Sequence, residues 1–322
     1  MGLLNILFWS IAIPLLGLSL STAGWYKLWA FEMLGTAYLW FAGVTVVLWC
    51  MLLLVKSLRR KRVLNIILTI ALSLYAESIL GWYVPRPSHT QGNGSPVTVM
   101  TYNVNYQLWN TAAVEKIVRQ VSADIFGLVE PYKEQAAALQ EVVQDLYPYY
   151  YRSTGGNLSL FSRYRIIKAR TDSLESPHHS LFATLDVRGK VVQVIVLRPP
   201  APLTPTLFNR RNQVLRSLAE YVKKQQSPVI LMGDFNTTSW SIYFREFVQR
   251  SGLRSASQGY GLHPTWYYAT PKTVVSSTHQ LFRFIKIPID HIFVSRNIEV
   301  NEITTGSAGV SDHRPLISRI RL

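Results

Sequence analysis

Seven side chains, met in a fixed order along the chain, have the chemistry to handle a phosphoryl group. They are Asn103, Glu130, Asp234, Asn236, Asp290, Asp312 and His313. Asn103 closes the run VTVMTYN and Glu130 closes IFGLVE. Asp234 and Asn236 stand in PVILMGDFN, Asp290 in IPIDHIFVS, and Asp312 with His313 in SDH just before the final apolar stretch. Each neighbouring run is apolar and β-branched and predicts a strand, so the polar groups gather at strand ends. Hard carboxylate and amide oxygens hold Mg²⁺ or Mn²⁺ while leaving room for water and substrate. An imidazole takes a proton from an attacking water, and neutral amides donate to phosphoryl oxygens. Taken singly, most of these residues have plainer readings: Asn103 caps a turn, Asp234 and Asn236 form an Asx-turn, Asp312 and His313 are a solvated loop pair. Glu130 is harder to dismiss, because a carboxylate ending a buried apolar strand needs a partner.

The order N, E, G-D-x-N, D, S-D-H along an α/β chain resembles the endonuclease/exonuclease/phosphatase superfamily, and the resemblance covers about residues 97–322. It implies a metal-dependent hydrolase acting on phosphoester bonds. It also implies that Glu130 is a metal ligand with Asn103 beside it, and that Asp312 is a second metal-side carboxylate. In the same scheme Asp234 orients or deprotonates the attacking water and Asn236 holds the phosphate. His313 acts on the phosphoryl group, and Asp290 fixes its ring. One position departs from the pattern. Where family members commonly carry a histidine after the strand preceding G-D-x-N, this chain has Arg198. A guanidinium cannot act as a general acid near neutral pH, but it can clamp a phosphoryl oxygen through paired hydrogen bonds. Either Arg198 is a phosphate clamp in an active enzyme or it signals reduced activity. His178 and His179 offer an alternative imidazole, with surface-loop residues as the plainer reading. Asn157, in GNLSLFSR, is a candidate substrate contact or a turn residue. Thr265 and Trp266 resemble a T-W pair near the family's site, with packing as the expected role of the Trp.

These groups need a scaffold that brings strand ends together. Apolar strands alternate with stretches of helical spacing at residues 112–121, 209–224 and 241–249, which predicts an α/β domain of two sheets packed face to face with helices outside. The resemblance implies the family's four-layer α/β/β/α sandwich.

Before residue 85 the pattern changes. Apolar residues make up 48% of the 322-residue chain and charged ones only 16%, and the apolar excess is concentrated in runs at residues 2–25, 31–55 and 63–84. Each is long enough to cross a bilayer as a helix, which predicts three transmembrane helices over residues 1–84. The connection at residues 56–62 carries Lys56, Arg59, Arg60, Lys61 and Arg62, against Lys27 alone after the first run. Positive charge marks the cytoplasmic side, so the catalytic domain is expected outside the cytoplasm, multi-pass anchored in the cell membrane. Residues 85–96, PRPSHTQGNGSP, predict a flexible linker, and residues 97–322 one catalytic domain.

Six basic residues and two acidic ones precede Pro85, so +11 of the formal charge of +15 stays with the rest of the chain. That surface favours anionic partners: phosphoester substrate, lipid headgroups or nucleic acid. Cys50 is the single cysteine, which excludes an intrachain disulfide and a thiolate metal cluster. A domain held at the outer membrane face meets lipid phosphoesters at high effective concentration, which favours a phospholipid or lipid-linked envelope molecule as substrate. A tethered extracellular nuclease and a non-catalytic envelope-binding protein are the alternatives.

Overall fold

The structure, a computed structural model, describes residues 3–22, 24, 27–54, 62–85, 94, 96–155, 157–172, 180–267, 286–307, 309 and 311–322. The N-terminal part is helical: α1 (Leu3–Thr22), α2 (Trp29–Leu34), a 3-10 turn (Gly35–Ala37), α3 (Tyr38–Leu54) and α4 (Arg62–Leu80). Where the sequence predicts three spans, two helices among the described residues are long and apolar enough to cross a membrane. They are Trp29–Leu54, with 26 residues and mean hydropathy 2.1, and Arg62–Leu80, with 19 residues and mean hydropathy 1.9. In the first run, the apolar stretch among the described side chains is Ile6–Ser21, within α1. Pro14 interrupts its hydrogen-bond ladder, and Ser10, Ser19 and Ser21 turn their hydroxyls onto carbonyls three residues earlier. Of the basic connection, only Arg62 lies within the described residues.

The remainder contains β1 (Val97–Asn103), α5 (Thr111–Val121), β2 (Ile125–Val129), α6 (Lys133–Val143), β3 (Tyr149–Arg152), β4 (Leu158–Ser162), β5 (Arg165–Asp172), β6 (Ser180–Val187) and β7 (Lys190–Leu197). It continues through α7 (Pro205–Lys223), β8 (Val229–Asp234), α8 (Ile242–Ser251), β9 (Arg254–Ser255), β10 (Trp266–Tyr267), β11 (Lys286–Ile287), β12 (Asp290–Val294), β13 (Glu299–Thr305) and β14 (Leu316–Arg321). One six-stranded sheet has the order β13-β14-β1-β2-β4-β3 and the other β5-β6-β7-β8-β12-β9, with β10 and β11 as a small ribbon. The parallel pairs are β1 with β2 and β7 with β8, each near the middle of its sheet.

Three apolar layers make this the four-layer sandwich. Val99, Ile125, Leu160, Val194, Val196, Met232 and Ile292 fill the space between the sheets. Met100, Phe126, Ile117, Val118 and Leu139 seal α5 and α6 onto one outer face, and Leu231, Phe293, Leu218 and Phe247 seal α7 and α8 onto the other. In β8, Ile230 and Met232 belong to the inner layer while Val229 and Leu231 face the helices. A strand covered on both faces has no polar side, which is why this run is uninterruptedly apolar. The sheets pack tightly at Gly127, where an added Cβ would lie 2.9 Å from Val196 Cγ2.

The helical part is packed against the sandwich, not merely strung to it. Tyr38, Ala71 and Tyr75 share a buried cluster with Trp240, Ile287 and Ile289, and Trp82 packs edge-on to Phe244 at 5.5 Å. Trp29 Nε1 donates to the Pro202 carbonyl and Trp240 Nε1 to the Gly35 carbonyl, both at 2.8 Å. The predicted linker falls mostly outside the described residues.

Candidate active site

Parallel central strands send their carboxyl ends to the same edge of a sandwich, and loops there are the usual seat of a ligand site in α/β folds. Here β1 ends at Asn103, β2 runs into Glu130, β7 into Arg198, and β8 ends at Asp234. The antiparallel neighbour β12 begins at Asp290, directly opposite Asp234 in register. The glycine of G-D-x-N has a local reason. Gly233 has φ +146, and a Cβ there would sit 2.0 Å from the Leu197 carbonyl oxygen. Glu130 (φ +69) and Asn236 (φ +49) are both left-handed, a conformation costing a non-glycine residue roughly 1–2 kcal/mol.

The side chains form one connected network. Asn103 Nδ2 donates to Glu130 Oε1 and to Asp234 Oδ2, each at 3.0 Å. The Ser311 hydroxyl donates to the Asn103 carbonyl (2.8 Å) and accepts the His313 N–H (3.0 Å), fastening the SDH loop to the end of β1. His313 Nδ1 lies 2.7 Å from Asp290 Oδ2. That bond assigns the Nδ1 proton and leaves Nε2 without a hydrogen bond among the described residues. Asp234 Oδ1 accepts the Asn236 N–H at 2.9 Å, and Asn236 Nδ2 donates to the Pro199 carbonyl at 3.0 Å. Asn103, Glu130, Asp234, Asn236 and His313 line a cavity of about 440 Å³ together with Met33, Thr36, Leu203, Ile287 and Ile289.

Ligand atoms of Asp234, Asp290 and His313 lie within 4.8 Å of one another, all buried. Burial first, and the Asp290 charge next, push the Asp234 carboxyl up to about 7. Burial alone would lower the His313 imidazole, but the charge and hydrogen bond of Asp290 outweigh it and raise the ring to about 9. Four carboxylates (Glu130, Asp234, Asp290, Asp312) thus meet two cationic groups, Arg198 and His313, while nearby Arg211 is already paired with Glu32. Asp290 Oδ1 is buried with no hydrogen-bond partner. An oxygen-rich donor set with surplus negative charge fits a hard divalent cation such as Mg²⁺ or Mn²⁺.

Of the residues singled out from sequence, Asn103, Glu130, Arg198, Asp234, Asn236, Asp312 and His313 line the cavity, with Asp290 directly behind His313. Asn157 does not line it. Its left-handed backbone (φ +47) turns its carbonyl to accept the Glu130 N–H at 2.8 Å, so it shapes the Glu130 turn instead of offering a side chain to substrate. Arg198 is engaged within the protein: Nε (2.9 Å) and Nη2 (2.5 Å) both donate to Glu130 Oε1, leaving Nη1 for a ligand. Trp266 does more than pack, since its Nε1 donates to Asp312 Oδ2 at 3.0 Å. Thr265 Oγ1 accepts the Asp290 N–H at 3.1 Å. Sequence reasoning missed Asn105, whose Nδ2 donates to Asp312 Oδ1 at 2.9 Å. Its place two residues after a site asparagine was the available signal. His178 and His179 lie outside the described residues. His291 is a packing residue: it is buried among Phe235, Phe244 and Phe293, has Nε2 on the Thr237 carbonyl, and is lowered by burial to about 4.

The sequence matches the endonuclease/exonuclease/phosphatase family over residues 100–313. Similar solved structures include a sphingomyelinase C from Streptomyces griseocarneus, 16% identical with a TM-score of 0.52, covering 70% of this chain and 99% of that one. A beta toxin variant from Staphylococcus aureus with bound magnesium ions is 14% identical, with a TM-score of 0.53 and coverage of 70% and 99%. A family protein from Bacteroides vulgatus is 17% identical, with a TM-score of 0.54 and coverage of 71% and 99%. At these identities the likeness is one of fold. No curated protein matches the sequence.

Proposed function

Because the chain belongs to the endonuclease/exonuclease/phosphatase family, whose members are metal-dependent phosphoester hydrolases, we propose that it is a membrane-anchored hydrolase of lipid or lipid-linked phosphoesters. The observation that carries the hydrolytic reading is the His313–Asp290 pair set against Asp234, with Glu130, Asn103 and Asp312 around the same cavity.

Glu130, Asn103 and Asp312 would hold the Mg²⁺ or Mn²⁺ ion, which when bound polarises a phosphoryl oxygen and offsets the charge that develops on it. The remaining roles belong to the chain. Asp234, oriented by Asn103 and the Asn236 N–H, accepts the proton of the attacking water as its oxygen bonds to phosphorus. Asn236 and the free Nη1 of Arg198 hold phosphoryl oxygens. His313, kept protonated and in one orientation by Asp290, presents Nε2–H to the phosphoryl group. Arg198 stands where the family's histidine is expected, so the leaving group takes its proton from solvent water.

The anchor reading rests on the two apolar helices and on the basic residues between them in sequence, which favour a cytoplasmic connection and an extracytoplasmic catalytic part. A C-terminal alkaline phosphatase fusion tests that placement: activity in intact cells supports it, and an inactive but stable fusion contradicts it. The charge of +11 on residues 85–322 favours the second reading, a membrane-tethered nuclease. The full chain in detergent, given Mg²⁺ or Mn²⁺, is assayed on a simple phosphodiester, a phosphomonoester, plasmid DNA and dispersed phospholipids. The lipid reading expects the highest kcat/KM on the phospholipids. Preferential degradation of DNA would install the nuclease, and no turnover by folded, metal-loaded protein would favour a binding protein with a decayed site.

A further inference from the structure

The cavity does not belong to the sandwich alone. Its catalytic end is formed by Asn103, Glu130, Asp234 and His313, but Met33 and Thr36 come from the helical N-terminal part, and Leu203, Ile287 and Ile289 complete an apolar wall beside them. Met33 and Thr36 sit near the start of Trp29–Leu54, the longer of the two apolar helices. Glu32, one residue before Met33, holds this wall in place. Its Oε1 accepts from Arg211 Nη1 (2.9 Å) and the Ser241 hydroxyl (2.9 Å), and Arg211 Nη1 also donates to the Asn236 carbonyl (2.8 Å). Arg211 is fully buried. A polar chain therefore runs from the end of the apolar helix to the backbone of a residue assigned to hold phosphate. Leu203, on the same wall, is 73% exposed, an apolar side chain left uncovered at the cavity.

We propose that this wall is a chain seat. The phosphoryl group sits at the catalytic end, and the first methylenes of an amphiphilic phosphoester lie against Met33, Leu203, Ile287 and Ile289, entering from the bilayer side. A volume of about 440 Å³ exceeds what a phosphate and a metal ion fill, and the surplus is bounded by apolar side chains continuous with an apolar helix. The residues that select the chain thus come partly from outside the region matching the family, which begins at residue 100. This inference rests on the phosphoesterase reading for the identity of the catalytic end, but its test separates the two.

The probes are n-alkyl phosphates of increasing chain length, used below their micelle concentrations as inhibitors of bis(4-nitrophenyl) phosphate hydrolysis by the full-length protein. Burial of each methylene tightens binding about fourfold until the wall is covered. Leu203→Glu, on an exposed side chain whose replacement does not threaten folding, and Met33→Gln both flatten that dependence, so the gain from ethyl to octyl phosphate shrinks at least tenfold. Inhibition independent of chain length in the wild type, or a dependence that neither variant changes, overturns the chain seat. If neither the diester nor a phosphomonoester, plasmid DNA or dispersed phospholipid is hydrolysed, the phosphoesterase reading fails. The same series is then read by direct calorimetric binding, where the slope and its loss in Leu203→Glu decide the chain seat by themselves.

Discussion

Arg198 and Glu130 meet at the level of single atoms. Arg198 spends two donors on Glu130 Oε1, the oxygen that also accepts from Asn103, so under the proposed ligand set the guanidinium and a divalent cation would compete for the same carboxylate. Arg198→Ala is therefore expected to tighten the apparent Mg²⁺ or Mn²⁺ affinity while raising KM for a phosphodiester by about tenfold, the order expected for one charge-assisted hydrogen bond. Metal titrations of steady-state rates check both directions, and unchanged values of both would remove the clamp. In the proposed mechanism the pH dependence follows from the two shifted groups. Asp234 must be ionised to take a proton, and its carboxyl is raised to about 7, so kcat/KM climbs as pH rises through that region. His313 must keep its proton, and its ring is raised to about 9, so the rate falls above that value. A bound cation favours ionised Asp234 and disfavours protonated His313, which moves both limbs toward lower pH. A rate that instead declines as pH rises through 7 would reverse the two assignments.

At the scale of elements, the strand ends were legible in the sequence because each carries its chemistry next to an apolar run. VTVMTYN is β1 residue for residue, and the glycine of GDFN is required by the close approach to Leu197. Boundaries moved only slightly elsewhere, as in α8, predicted at residues 241–249 and found at Ile242–Ser251 with Ser241 as its cap. What pairs with what across the chain was not legible. Glu32 and Arg211 are 179 positions apart, and nothing local in either segment announces the contact. Trp266 read as a packing residue because its bond to Asp312 depends on how β10 is placed against the SDH loop. The Glu32–Arg211 pair joins α2 to α7 with almost no solvent access, 12% and 0% of the two side chains. Removing one partner strands a buried charge, whereas removing both is far less costly. Glu32→Gln is expected to lower the stability of the full chain by about 3 kcal/mol, and Glu32→Leu with Arg211→Met by much less. Thermal unfolding in detergent measures the cycle, and additive losses would show that the two side chains do not act as a pair.

For the whole molecule, the consequence is that the apolar helical part and the sandwich share a buried seam, formed by Tyr38, Tyr75, Trp82, Trp240 and Phe244. The sequence showed an apolar N-terminal part and an α/β remainder, but the loosely strung arrangement suggested by PRPSHTQGNGSP hid that seam. Hydropathy likewise counted the first apolar run as a third span, and its helix α1 carries Pro14 within it. Because Met33 and Glu32 belong to the site, activity is properly measured on the intact chain. Metal-dependent hydrolysis is best judged by comparing full-length wild type with His313→Ala on bis(4-nitrophenyl) phosphate, with and without Mg²⁺ or Mn²⁺. The expected result is turnover that requires the ion and falls by about 10²–10⁴-fold in a variant that remains folded. Equal rates in the two proteins, or turnover indifferent to the ion, would contradict it.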